Sequence, residues 1–472
     1  MVGEICRMLG FLLMLPLGVL HAQERIEGVV RDSASGAPIA GAVVTISDSA
    51  GQARRQILTD VNGRFSVTVT SAWPDLRVIK IGFTPVELTG DTWRGNRTLN
   101  IRMAPFAFTL EAVKSTTSSK CQGNQDNGKA AAALWVQARS ALLATVVARR
   151  SLPATATVAE YRRVFDTTGV RLLGQSVHGD SGEARRPFGA VASAHILAGT
   201  GYVLDHDDMR QFLAPDADVM LDPAFARGHC FGVVVGTDAH QGDVGLTFRP
   251  AEHSNAAVAD ITGTLWMTIT QPQLRSLSFK YVNIEESVEN AGAGGTLYYR
   301  TMGNGVVALT TWRLLLPAVA KFRVGWRAAP IVGGNPVVKV DDVGGVLVHG
   351  TWPDGSTYQA PLGTLLGRVV RGQFSNASPA ACIRVWIDST YYSATTDSLG
   401  TFRIRDVLPG RYTVRYRDLA LTTFGARDEA IDVTVKPGDN ALPLRRFSPL
   451  GGLRIARAHR GGSQASLSCS AP

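Results

Sequence analysis

Apolar and polar side chains alternate through the middle of the chain. Leu265, Met267 and Ile269 are interleaved with Thr264, Trp266 and Thr268, and Leu277, Phe279 and Tyr281 with Ser276, Ser278 and Lys280. A period of two places every second side chain on one face, which predicts half-buried strands. Further strands are predicted at 229–236, 244–248, 296–301 and 306–316. The hairpin tips fall at 238–243 and at Gly303-Asn304-Gly305, where Asn-Gly suits a two-residue turn. Ahead of this meander, Leu134, Trp135, Ala138, Leu142 and Val146 recur at helical spacing. They predict a core-packing helix over 129–150, with Arg149 and Arg150 at the negative C-terminal end and Pro153 just beyond.

A second pattern occurs twice, near the two ends. Thr59-Asp60-Val61-Asn62-Gly63-Arg64-Phe65-Ser66-Val67 is echoed by Thr396-Asp397-Ser398-Leu399-Gly400-Thr401-Phe402-Arg403-Ile404. Each copy follows a glycine and two valines, Gly28-Val29-Val30 in one and Gly367-Arg368-Val369-Val370 in the other. Asp60 and Asp397 are expected to accept hydrogen bonds from backbone two residues on, while Gly63 and Gly400 supply a positive φ. The repeat is a turn-and-strand signal and carries no catalytic group.

With Gly36-Ala37-Pro38-Ile39-Ala40-Gly41-Ala42 and Ile79-Lys80-Ile81-Gly82-Phe83, the first copy resembles the carboxypeptidase regulatory-like domain over residues 24–104. That resemblance implies a transthyretin-like (prealbumin-like) β-sandwich. The second copy, over 364–445, is similar to the same group and to carbohydrate-binding-like sandwiches through Leu408-Pro409-Gly410-Arg411-Tyr412. It departs from the first at Ser378-Pro379-Ala380-Ala381-Cys382, where the Gly-x-Pro-Ile segment is missing, and no ligand is implied. At pattern level only, the helix and meander are similar to exported half-barrel carriers of acyl chains.

The expected fold class is mainly β: two transthyretin-like sandwiches flanking a helix plus antiparallel meander, open or half-barrel. The expected layout is a signal peptide at 1–22, a regulatory-like sandwich at 23–104 and a polar linker at 105–128. The helix-and-sheet domain follows at 129–325, then a Gly-rich bridge at 326–363, the second sandwich at 364–447 and a disordered basic tail at 448–472. The leader is read from Arg7, the apolar run of residues 9–20 and the small Ala22.

With 45% apolar and 18% charged residues, 472 residues can bury a sizeable core. The net charge of +9 is scattered in pairs such as Arg54-Arg55 and Arg185-Arg186. Without a basic run interleaved with aromatics, nucleic acid is not an expected partner. An envelope protein, a glycan or a lipid is, and the mature chain is expected to have no transmembrane segment. Four cysteines remain after the leader: Cys121, Cys230, Cys382 and Cys469. Cys121 with Cys230 is one expected disulfide, isolated buried thiols the other reading.

Candidate chemistry is sparse. The only His-x-x-Glu, His21 to Glu24, straddles the expected cleavage point, so a zinc peptidase site is not expected. Gly179-Asp180-Ser181-Gly182 looks like a serine-protease segment but lacks upstream partners, and a polar hairpin turn is the reading adopted. Asp205-His206-Asp207-Asp208, with His240 and Asp243, is a candidate cation cluster set against a solvated turn. Trp266, Trp312, Trp386, the pair Tyr298 and Tyr299, and the pair Tyr391 and Tyr392 are candidate ligand-facing aromatics set against ordinary core. No cofactor and no catalysis are expected.

Overall fold

The computed structural model describes residues 23–70, 73–93, 98–106, 125–184, 192–206, 209–251, 258–320, 336–372, 377–418 and 428–447. The expected leader, most of the linker, Cys121, Asp207, Asp208 and the basic tail lie outside the described residues. The protein is mainly β, built from largely antiparallel sheets, and among the described residues no sheet closes into a barrel.

The first sandwich contains β1 (Gln23–Asp32), β2 (Val43–Ser47), β3 (Ala53–Leu58), β4 (Arg64–Thr70), β5 (Asp75–Ile79), β6 (Val86–Leu88), the helical turn α1 (Gly90–Trp93) and β7 (Thr98–Met103). Its sheets have the orders β4-β1-β7 and β3-β2-β5-β6, with β1 and β7 parallel. Strand β4 alternates strictly, Phe65, Val67 and Val69 inward and Arg64, Ser66 and Thr68 outward, and its inner face meets Ile26, Val44, Ile46 and Val78.

The middle of the chain begins with the long helix α2 (Gln125–Ser151) and the hairpin β8 (Ala154–Phe165) and β9 (Leu172–Ala184). Short elements follow: α3 (Ala194–Thr200), β10 (Val203–His206), β11 (Met209–Phe212), α4 (Ala217–Leu221) and α5 (Pro223–Gly228). The meander is β12 (His229–Val235), β13 (Asp243–Pro250), β14 (Asp260–Thr268), β15 (Leu274–Val282), the short helix α6 (Glu286–Asn290), β16 (Gly294–Thr301), β17 (Val307–Val319), β18 (Val337–Thr351) and β19 (Thr357–Gln359). These strands form one open sheet of order β12-β13-β14-β15-β16-β17-β18-β8-β9, with β19 on β18. The hairpin β8–β9 thus joins the far side of the meander, which sequence periodicity did not reveal.

Two expectations are corrected here. In the described part of the expected bridge at 326–363, residues 337–351 form a fifteen-residue strand inside the sheet instead. Its glycines serve packing: a Cβ on Gly344 would lie 2.4 Å from the Tyr161 hydroxyl, and one on Gly345 2.5 Å from Trp312 Nε1. Gly179 to Gly182 are not a turn either, since they lie within β9. Gly179 sits under the Tyr391 ring, where a Cβ would come within 2.7 Å. Both segments use glycine to let an aromatic approach the backbone, a role that composition alone reads as flexibility.

The second sandwich comprises β20 (Gly363–Arg371), β21 (Ser378–Pro379), β22 (Ile383–Ile387), β23 (Ser393–Thr395), β24 (Thr401–Val407), β25 (Gly410–Asp418), β26 (Glu429–Val435), β27 (Gly438–Ala441) and β28 (Arg445–Phe447). It repeats the first pairing for pairing. Strand β20 is antiparallel to β24 and parallel to β27 and β28, as β1 is to β4 and β7.

The repeated turns coincide in detail. Asp60 Oδ1 accepts from the N–H groups of Asn62 and Arg64 at 2.9 and 2.8 Å, and Asp397 Oδ1 from Leu399 and Thr401 at the same two distances. Gly63 and Gly400 have φ of 71° and 72°, and a Cβ on either would strike the carbonyl of Val30 or Val369. Thr59 is buried; its hydroxyl donates to Ile39 O and accepts from Ala42 N, as Thr396 does with Ala380 O and Ile383 N. Thr59→Val and Thr396→Val keep the shape but leave a buried N–H and C=O unpaired, so each should cost about 1 to 3 kcal/mol. Urea unfolding of each variant measures it, and an unchanged midpoint would show that the hydroxyl staple is dispensable.

Candidate functional site

Helix α2 lies between two sheets. One side meets the meander through Leu134, Ala138, Ala141 and Leu142, which share a core with Leu246, Leu265, Leu277 and Leu297. The other side meets Val43, Ile79 and Ile81 of the first sandwich, in the same continuous core. By length and composition α2 could cross a membrane, but here its apolar surface is taken up by protein on both sides.

Where the C-terminal turns of α2 pass over β8, β16, β17 and β18 the packing leaves a cavity of about 80 Å³. Ala148 and Leu152 face Ala156, Leu297, Ala308, Leu347 and Trp352 across it. Polar groups occur at few points. Arg149 is committed to Asp218, and Asp216 caps α4 by accepting from Val219 N at 2.9 Å. Tyr299 also lines the cavity; it is 8% exposed, and its hydroxyl makes no hydrogen bond among the described residues. Burial, with the Asp216 carboxylate, pushes that phenol well above the usual tyrosine range.

The sequence-derived aromatics do not converge on this space. Register places Trp312 opposite Leu297, hence on the α2 face, and Trp266 opposite Ser276 on the other face. They are also three strands apart, roughly 14 Å. Trp266 stacks on His240 with ring centroids 4.0 Å apart. His240 Nδ1 is 3.3 Å from the buried Asp243, which also accepts from Arg275 at 3.1 and 3.2 Å. Strand β16 alternates through Leu297, Tyr298 and Tyr299, so Tyr298 is half-exposed while Tyr299 is buried with Leu297 on the α2 side; the extra residue of the β16–β17 bulge, Thr310, lies on β17. The period-two rule, started from Leu297, gives that split.

Asp205 and His206 end β10, opposite Arg210 and Met209 of β11, while Asp207 and Asp208 lie outside the described residues. Among the described residues no three His, Cys, Asp or Glu side chains gather as a metal would require. Ser181 contacts Thr157 Oγ1 at 2.9 Å. Cys230 and Cys382 are each disulfide-bonded. Cys121 lies outside the described residues, so its pairing with Cys230 stays an expectation.

Trp386 sits on the outward face of the second sandwich. Arg384 and Arg417 lie over its ring, 5.7 and 5.1 Å from the centroid. Arg415 pairs with Asp388, and Arg417 makes a two-pronged pair with Asp428 at 2.7 Å. Tyr391 and Tyr392 instead belong to the joint with the central sheet. Tyr392 is buried and accepts from Leu408 N, and Tyr391 covers Gly179.

Both sandwiches are fixed to the centre. Ala159, Val177 and Val348 share a core with Leu365, Tyr412 and Val414, on the sheet face opposite α2. Arg163 donates to Pro409 O at 2.8 Å, Gln175 to Arg411 O at 2.7 Å, and Val177 N to Ser389 O at 3.0 Å. For the first sandwich, buried Gln137 of α2 accepts from Gly82 N at 2.7 Å and donates to Phe83 O at 3.1 Å. Lys80 bridges the same joint, donating to Gly41 O at 3.3 Å and to Gly305 O at 3.2 Å.

Burial lowers the Lys80 ammonium from 10.5 to about 8. Between those values the unfolded chain binds a proton that the native state does not, so stability rises with pH across this window, by about 1.4 kcal/mol per unit from this group. Buried tyrosines oppose it. Tyr161 and Tyr416 are pushed up to about 12 by burial, so above roughly pH 10 the native state keeps protons the unfolded chain loses. A stability maximum is therefore expected at about pH 9 to 10. Denaturant titrations across pH 7 to 11 should show the rising limb vanish in Lys80→Met while the falling limb persists; an unaltered profile would mean that Lys80 is not desolvated.

The fold and its joints define a protein built on transthyretin-like sandwiches. Residues 25–104 match the carboxypeptidase regulatory-like domain, so the chain carries that domain as β1 to β7; no catalytic domain was matched. No curated protein sequence matches the chain. Among solved structures, the Bacillus anthracis TIE protein aligns at 7% identity and a TM-score of 0.15, over 90% of this chain and 51% of its own, so this chain spans about half its length. BcpA, the major pilin subunit of Bacillus cereus, aligns at 9% identity and a TM-score of 0.14, over 90% of this chain and 99% of its own. Likeness at that level carries no argument.

Proposed function

We propose that this is an exported, non-catalytic cell-envelope protein that binds a protein partner, acting as an adaptor built on a regulatory-like domain. The observation that carries the reading is the outward strip on β22 and β25, where Trp386 is flanked by Arg384, Arg415 and Arg417. Tryptophan and arginine are the residue types that anchor protein interfaces. Ion pairs to Asp388 and Asp428 hold two of the guanidinium groups in place, so little side-chain freedom is left to lose on binding. A sugar would need an open face of the indole to stack on, and guanidinium groups occupy the space over this ring.

The remainder of the molecule supports a scaffold role. Each sandwich is joined to the central sheet by a shared apolar core and by buried or backbone hydrogen bonds, so the strip is presented on a continuous frame. The leader-like residues 1–22 support export.

Photo-crosslinking from position 384 in intact cells, followed by fractionation, tests the reading. The expected result is one envelope protein crosslinked in the exported fraction, with the crosslink lost in Trp386→Ala. A cytoplasmic location, a crosslink to glycan alone, or peptide or ester turnover by the purified protein would overturn it.

A further inference from the structure

The cavity beneath the end of α2 is unrelated to the outward strip, and its chemistry is specific. Its walls are mostly aliphatic, the exceptions being Trp352, Tyr299, Thr145, Arg149 and Asp216, and it is partly open to solvent. At about 80 Å³ it is about half the size of the roughly 150 Å³ apolar cavity that takes up benzene, and far below the roughly 300 Å³ of a small drug site. It therefore admits a few carbons at the end of a chain, and no complete lipid.

Tyr299 supplies the second observation. It is more than nine-tenths buried, lines the space, and its hydroxyl has no partner among the described residues. The hydroxyl opens into the cavity, where an acceptor brought in by a ligand can pair with it. Over most of its walls water finds no polar partner, so an apolar chain end can replace it there. Charge at the mouth is balanced. Arg149 and Arg150 both lie against Asp218, and Asp216 adds a second carboxylate, so nothing there selects an anionic head.

We propose that this cavity binds the end of an uncharged apolar molecule carrying one hydrogen-bond acceptor, such as an ester or ketone, with Tyr299 Oη donating to that acceptor. Ala308 and Leu347 would contact the chain, and the rest of the molecule would extend through the open side.

The test uses the full mature chain and titration calorimetry with three probes: methyl hexanoate, hexanoate and pentane. Methyl hexanoate is expected to bind at least tenfold more tightly than hexanoate. Tyr299→Phe, which keeps the ring, is expected to weaken methyl hexanoate about fivefold, the equivalent of one neutral hydrogen bond, and to leave pentane unchanged. Ala308→Phe, checked for native circular dichroism, is expected to abolish binding of all three. No heat from methyl hexanoate in the wild-type chain, equal binding of hexanoate, or no effect of Tyr299→Phe would each overturn the proposal. Should Ala308→Phe fail to fold, the Tyr299→Phe comparison decides alone. None of these outcomes bears on the outward strip, which the crosslinking addresses separately.

Discussion

Covering α2 on both sides is the constraint around which the molecule is arranged. A helix this apolar cannot rest on one sheet and leave its far side in water. The meander takes one side, through residues such as Leu265 and Leu277, and the first sandwich takes the other, through Val43, Ile79 and Ile81. The polar groups this buries are few and matched. Gln137, 1% exposed, meets an N–H and a C=O of the Gly82–Phe83 turn, so the helix carries its own fastener for the domain that covers it. The regulatory-like domain is thus part of the core of its neighbour.

The second sandwich solves the same local problem in a different setting. Its turn reproduces the first down to the threonine hydroxyl, and Gly367 lies under Phe402 as Gly28 lies under Phe65. Yet it docks on the opposite face of the sheet and touches no part of α2 that the first one covers. A fold module fixes its own strands; its place in the molecule is set by which outer residues it happens to carry.

That distinction sets what the sequence could reveal. The sandwich class, the helix and six meander strands were legible because each rests on a period or a turn within a short window. The hairpin β8–β9 was not: Ala154, Ala156 and Ala159 are small residues whose burial becomes visible only with α2 and the second sandwich in place. Strand β18 was misread because Gly344 and Gly345 look like a hinge until Tyr161 and Trp312 are seen lying across them. Of the candidate aromatics, Tyr299 is turned inward by the same alternation that buries Leu297, but the cavity it lines exists only once α2, far away in sequence, packs over β16 and β17.

Gly41 and Gly305 meet backbone to backbone at the joint between the first sandwich and the β16–β17 hairpin, so close that a Cβ on Gly41 would fall on the Gly305 carbonyl. Lys80 then closes the seam by reaching the carbonyls of both. The two surfaces have no slack to absorb a side chain, so they behave as a lock cut to one key. Transplanting another sandwich of the same family in place of residues 25–104 would require that it bring a bare backbone and a long cationic arm to the same two spots, a demand unrelated to its own stability. Interchangeability within the family therefore ends at this seam.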